Sequence, residues 1–160
     1  MNIRIIAFPQ IKIATLEHLG PKETLPDSVA TFRAWRKASG LSPVASKRTF
    51  GVAISDPEKT KPEAFRYDIC SEVVADVPEN DFGVVNRFIP ASRCAQTRHI
   101  GSHDTLARTV YQFTRGWFPG SGEHSGDFPL FFEYINVADD MPEDHRITDI
   151  YLPLKPKAAA

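Results

Sequence analysis

The chain has 160 residues with 19 basic against 20 acidic side chains, a formal net charge of -1, and this balance disfavours bulk binding to nucleic acid or to a charged membrane surface. At 42% hydrophobic and 24% charged residues it has the make-up of a globular domain, which excludes disorder over most of its length. Cys70 and Cys94 lack the paired spacing of a disulfide framework or zinc site, no apolar run reaches the roughly 18–20 residues that span a bilayer, and no charged-then-apolar leader opens the chain, so a soluble, cytoplasmic protein is expected.

Thirteen prolines and nine glycines punctuate the sequence, so the elements between them are expected to be short. Alternation over Lys12–Leu19 predicts a strand closed by Gly20 and Pro21. Thr24 or Asp27 is placed to cap a helix running to about Ser39, with Val29, Phe32 and Trp35, and Arg36 as a further candidate, recurring at spacings of three and four along one stripe and Gly40 as its stop. Arg33, Arg36 and Lys37 form its solvated basic face. Thr49–Ser55 and Arg66–Val74, rich in Phe, Val, Ile and Tyr, read as two further strands joined by the polar segment Asp56–Glu63.

This strand-helix-strand-strand unit occurs twice. With an offset of 81, Ala14, His18, Gly20, Thr24, Leu25, Val29 and Phe32 meet Ala95, His99, Gly101, Thr105, Leu106, Val110 and Phe113, and Asp68 and Ile69 meet Asp149 and Ile150. Self-similarity at this length indicates a duplicated module. The expected fold class is α+β: a single domain over 1–160, with modules at about 10–77 and 83–155, pseudo-twofold symmetry, a central ligand cleft at the seam and a disordered tail at 156–160. The repeated histidine before each glycine suggests a structural hydrogen bond at the turn in both modules.

Aromatic residues crowd the second half, where Tyr111, Phe113, Trp117, Phe118, Phe128, Phe131, Phe132 and Tyr134 surround one acid, Glu133. Rings beside an acid suit flat or cationic organic molecules through stacking, cation–π attraction and a charge partner; rings at these spacings equally serve as core. His99 and His103 flank Gly101 rather than sharing a helix face, so no metal is expected. Ser102, His103 and Asp104 are consecutive and diverge too much for a hydrolytic triad. Gly120–Ser121–Gly122 follows a helix, which argues against a phosphate loop, and no cofactor is expected. Nothing reads as a helix-turn-helix, so direct nucleic-acid binding is not expected either.

The stretch Phe88–Gly101, the helix ending in Trp117, Phe118 and Pro119, the tail Phe131–Leu154, and in the first half His18–Pro21 and Arg66–Cys70 together resemble the GyrI-like small-molecule-binding family. That family includes the DNA gyrase inhibitory protein and the effector-binding domains of AraC-type and MerR-type regulators. The resemblance covers about residues 10–155 and implies a duplicated fold whose cleft binds amphipathic, often cationic compounds. Candidate ligand-binding residues are Glu133, Tyr134, Phe132, Trp117 and Phe113, with Tyr67 and Trp35 from the first half. Family members commonly carry Phe-Glu-x-Tyr-x-Asn in the penultimate strand, whereas Phe131–Asn136 reads FFEYIN, with the acid one place later. Alternation puts Glu133 on the face of Phe131 and Ile135, opposite Phe132 and Tyr134. Either a bulge re-aims it or it lies outside the pocket, in which case Phe132 lines the cleft with Tyr134 and preference shifts from cations to neutral aromatic ligands.

The function expected is a stand-alone module that sequesters or senses hydrophobic, aromatic compounds, cationic ones included if Glu133 faces the pocket. Two alternatives accompany it: a DNA gyrase inhibitor acting by protein contact, and a hydrolase of cyclopropane-bearing alkylating compounds, in which Glu133 would position water and Trp117 and Tyr134 would hold the ligand. Expected partners are a small molecule and either gyrase or a separate regulator, with no membrane.

Overall fold

The computed structural model describes residues 1–136 and 141–157. In chain order its elements are β1 (Ile3–Phe8), β2 (Ile11–Leu19), α1 (Leu25–Ser39), β3 (Thr49–Val52), β4 (Arg66–Glu72), β5 (Val85–Ile89), β6 (Ser92–Ile100), α2 (His103–Tyr111), β7 (Phe131–Tyr134) and β8 (Ile147–Leu154). All pairings given by these eight strands are antiparallel, and with two main helices the fold is α+β. The chain divides into two units: the first is Gln10–Ile89, and the second joins Met1–Pro9 to the chain from Pro90 onward. The strand order is β3-β4-β2-β5 in the first unit and β1-β6-β8-β7 in the second.

The strands and helix read from the first half are present with shifted ends. The third strand stops at Val52 and the fourth at Glu72. Pro26 in the first turn of α1 and Gly40 at φ 65 after its last set the helix ends. Thr24 sits at the N-cap, but its hydroxyl donates backward to the Pro21 carbonyl at 2.8 Å and does not cap the helix. One basic residue departs from the solvated face read for it. Arg36 is 5% exposed, and its guanidinium donates to the Ser42 and Lys47 carbonyls and to Thr49 Oγ1 at 2.6, 3.3 and 2.8 Å. It therefore ties the loop after α1 back onto the helix, because a buried guanidinium must fill its donors.

β1 and β5 were not anticipated. Phe8 of β1 pairs with Ser92 of β6, and Ile89 of β5 pairs with Ile11 of β2. Adding 81 to Phe8 gives Ile89 and to Ile11 gives Ser92, so the two registers are the same one, reciprocally exchanged between the repeats. The repeat is thus strand-strand-helix-strand-strand with its first strand traded, and the unit boundaries fall at Pro9 and Pro90. Of the tail read at 156–160, residues 158–160 lie outside the described residues.

Each unit closes its turn in the same way. Gly20 (φ 133) donates its N–H to the Phe65 carbonyl, and Gly101 (φ 142) to the Arg146 carbonyl, each at 2.8 Å. The His18 ring bridges Ser28 Oγ (2.7 Å) and the Pro21 carbonyl (3.1 Å), and the His99 ring bridges Thr109 Oγ1 (2.7 Å) and the Ser102 carbonyl (3.1 Å). A carbonyl only accepts, so Nε2 donates to it in each ring, and in the neutral ring Nδ1 accepts from the hydroxyl. The core of the first unit gathers Ala14, Phe32, Trp35, Ile69 and Val73 on the α1 side of its sheet; burial of each large side chain there contributes about 1.5–3 kcal/mol.

Candidate functional site

β7 carries the central question, because its four residues divide between two faces. Its register against β8 is unbroken, from Phe131 opposite Tyr151 to Tyr134 opposite Thr148, so no bulge re-aims Glu133. Glu133 and Phe131 share one face. There Phe131 stacks on Tyr151 with centroids 4.9 Å apart, and Phe8 meets both rings edge-on at 5.0 Å. Glu133 is 8% exposed, and its carboxylate accepts a 3.2 Å hydrogen bond from the Tyr151 hydroxyl. Its cross-strand neighbour Asp149 is held bidentately by Arg98, at 2.7 and 3.1 Å.

Phe132 and Tyr134 occupy the opposite face and stack at 6.4 Å with their planes 25° apart. This is the α2 side of the sheet, since His103, the first residue of α2, sets its ring 5.5 Å from that of Tyr134. Desolvation, with Arg146 and His99 adding to it and Glu143 and Asp104 opposing, lowers the His103 imidazole from its ordinary value, which favours the uncharged ring. Thr148, opposite Tyr134 in register, is fully buried and its hydroxyl has no hydrogen-bond partner among the described residues. The face is therefore apolar and aromatic, with Phe132 and Thr148 buried in it and Tyr134 and the His103 imidazole reaching its open edge.

The helix changes form at its C-terminal end. Beyond Tyr111 it widens into a π-turn over Gln112–Trp117 and ends in a 3₁₀ turn at Phe118–Gly120. Phe113 is fully buried, and Trp117 stacks on it at 5.6 Å while keeping part of its surface open. In the first unit Trp35 is 1% exposed against Phe32. Tyr67 lies across Gly51, its hydroxyl occupying the space a Cβ there would fill. The structure thus puts Phe132, Tyr134 and His103 on one face of the sheet, with Phe132 buried, leaves Glu133 buried on the reverse of the same strand, and closes Phe113 and Trp35 into cores. His103 and Thr148 share this face with Tyr134 and were not read from the sequence; alternation in the last strand marks Thr148 as a neighbour of Tyr134, whereas nothing local marks His103.

Two surface grooves lie elsewhere, one of about 280 Å³ beside Arg33, Arg36 and Lys37 and one of about 70 Å³ beside Lys22 and Phe65. Neither contains a residue of the aromatic face. Among the described residues no group of three His, Cys, Asp or Glu could hold a metal ion, and no helix is long and apolar enough to cross a membrane.

The chain is a duplicated antiparallel α+β module. The chain belongs to the GyrI-like family, whose small molecule binding domain matches residues 1–155. It is 45% identical over 154 residues to the probable transcriptional regulator YgiV of Escherichia coli (strain K12), covering 96% of both chains. The C-terminal domain of EcmrR shares the fold at a TM-score of 0.75 and 19% identity, with 96% of this chain and 97% of that one covered. In the EcmrR–DNA complex the match has a TM-score of 0.76 at 18% identity and covers 96% of this chain but 57% of the EcmrR chain. SAV2435, solved with tetraphenylphosphonium bound, matches at a TM-score of 0.61 and 11% identity over 97% of this chain and 94% of that one.

Proposed function

We propose that this protein binds flat, hydrophobic aromatic compounds on the α2 side of β7, contacting them through Phe132, Tyr134 and Trp117 with His103 at the rim, and that it thereby senses or sequesters them. The observation that carries this reading is the regular register of β7, which sets the stacked Phe132–Tyr134 pair and the Glu133 carboxylate on opposite faces. A cation held by Glu133 would have to sit against Phe131 and Tyr151, where the carboxylate already receives the Tyr151 hydroxyl. The ligand face offers ring stacking but not the Glu133 carboxylate to pair with a positive charge, so a cation gains only the ring attraction there and loses the charge partner that would favour it over a neutral ring of the same shape. The same placement weighs against hydrolysis, because the one acid of the aromatic cluster is not directed at the ligand face. A sensing role accords with the kinship to a probable transcriptional regulator.

The test compares two tricyclic probes of one shape, neutral acridone and cationic proflavine, by isothermal titration calorimetry and thermal shift, with tetraphenylphosphonium as a bulkier cation. Acridone is expected to bind at least tenfold more tightly than proflavine, Tyr134→Ala to weaken it by tenfold or more, and Glu133→Gln to change it less than twofold. Preferential binding of the cations, lost in Glu133→Gln, overturns the reading.

A further inference from the structure

The two repeats carry the same ring pair on their helices at different spacings. Phe32 and Trp35 are three residues apart in α1, with centroids at 5.4 Å and planes 34° apart. Phe113 and Trp117 are four apart, yet their geometry is nearly unchanged at 5.6 Å and 27°. The N-terminal parts of both helices keep the offset of 81, since His18 holds Ser28 as His99 holds Thr109 and Phe32 matches Phe113. The tryptophans are offset by 82. One extra residue therefore lies between Phe113 and Trp117, inside the segment that forms a π-turn, where the Phe118 N–H reaches back five residues to the Phe113 carbonyl. A π-turn is how a helix absorbs a single inserted residue while the residues before and after keep their faces.

The two results differ in exposure. Trp35 is 1% exposed and belongs to the core, whereas Trp117 stays partly open. We infer that the π-turn at Gln112–Trp117 is a one-residue insertion that holds Trp117 partly open as the specificity-determining wall for aromatic ligands, making the second repeat the ligand-contacting one and leaving its counterpart Trp35 structural. This rests on the ligand reading above. Gly116 is the residue to remove, because without it the second helix has the three-residue spacing of the first, and nothing lies within 4 Å of where its Cβ would be.

The test uses Trp35→Phe, which leaves Trp117 as the one tryptophan of the two in the chain, and compares deletion of Gly116 with the length-preserving Gly116→Ala. Acrylamide quenching reads the exposure of Trp117 and calorimetry reads acridone affinity. Deletion is expected to cut the quenching constant severalfold, to that of Trp35 measured in Trp117→Phe, and to weaken acridone at least tenfold, while Gly116→Ala leaves both within twofold. Unchanged acridone binding in the deletion, with normal binding by the parent, overturns the inference alone. A parent that binds no acridone but shows the quenching difference overturns the ligand reading and, with it, the ligand role of Trp117. Should the deletion abolish the cooperative melting transition, insertion of one glycine between Arg33 and Ala34 asks the reverse question in Trp117→Phe. Trp35 must then become quenchable, and a Trp35 that stays protected overturns the π-turn argument.

Discussion

His18 and His99 each tie the end of a strand to the helix that follows, and neither ring bond is available from water once the ring is buried. His99→Ala removes the ring that holds the Thr109 hydroxyl, while the Ser102 carbonyl keeps the Thr105 N–H and hydroxyl as donors, so urea unfolding is expected to show a loss of about 1–2 kcal/mol. Gly51 is fixed for a different reason: the Tyr67 phenol stands where its Cβ would be. With the offset of 81, Gly51 and Tyr67 correspond to Phe132 and Thr148, so the large and small partners trade strands between the repeats. Gly51→Ala is expected to destabilise by about 1–3 kcal/mol through overcrowding, and Tyr67→Thr in the same chain to recover most of that loss. An unchanged midpoint for Gly51→Ala would show that the ring swings clear. This inversion is what gives β7 an aromatic face toward α2 and leaves β3 with a glycine there. The alternation that sorts Glu133 from Phe132 was legible in six letters of sequence. The burial of Glu133 was not, because its hydroxyl donor Tyr151 lies 18 residues away on the next strand.

The elements read most easily were those with their own punctuation. α1 is bracketed by Pro26 and Gly40, and β2 ends at Gly20, so local chemistry marks them. β1 and β5 have no such marks, and each is defined by a partner strand in the other repeat, a long-range pairing that short-range patterns do not carry. β1 nonetheless contributes Phe8, 3% exposed and edge-on to Phe131 and Tyr151. Phe8→Ala is therefore expected to cost about 3–5 kcal/mol, read as a fall in the urea midpoint at constant slope; a loss below about 1 kcal/mol would mean that β1 is peripheral to its unit. The π-turn after α2 was also invisible in the letters, since an inserted residue in a helix leaves the apolar stripe shifted by only one place. Gly116→Ala is expected to stabilise the protein by about 0.5–1 kcal/mol, because its site is open and its backbone is not in the left-handed region.

The duplication was the most informative property of the whole chain, and it fixed the fold class because each copy repeats its glycine, its histidine and its apolar stripe. What it could not supply was the traded first strand, which makes the unit Met1–Pro9 plus Pro90 onward discontinuous in sequence. The repeats have also diverged in what they bury: position 70 is a fully buried cysteine, 3.4 Å from Thr15 Oγ1, while its counterpart is Tyr151. Burial pushes the Cys70 thiol up from its ordinary value of 9.0 to about 12, so the folded protein keeps a proton that the unfolded chain releases. Between these two values the unfolded state binds fewer protons, and stability falls as pH rises, by up to about 1.4 kcal/mol per pH unit. Below about pH 8 this group contributes no slope. Urea midpoints for the parent and Cys70→Ala are therefore expected to run parallel from pH 6 to 8 and to converge or cross from pH 9 to 11, as the parent alone loses this increment. Parallel curves across the whole range would show that the thiol is reached by solvent in the folded state. Ellman's reagent supplies the second measure: at pH 8 Cys70 should react only as fast as the protein opens, with a rate that rises in Phe8→Ala if labelling requires global unfolding.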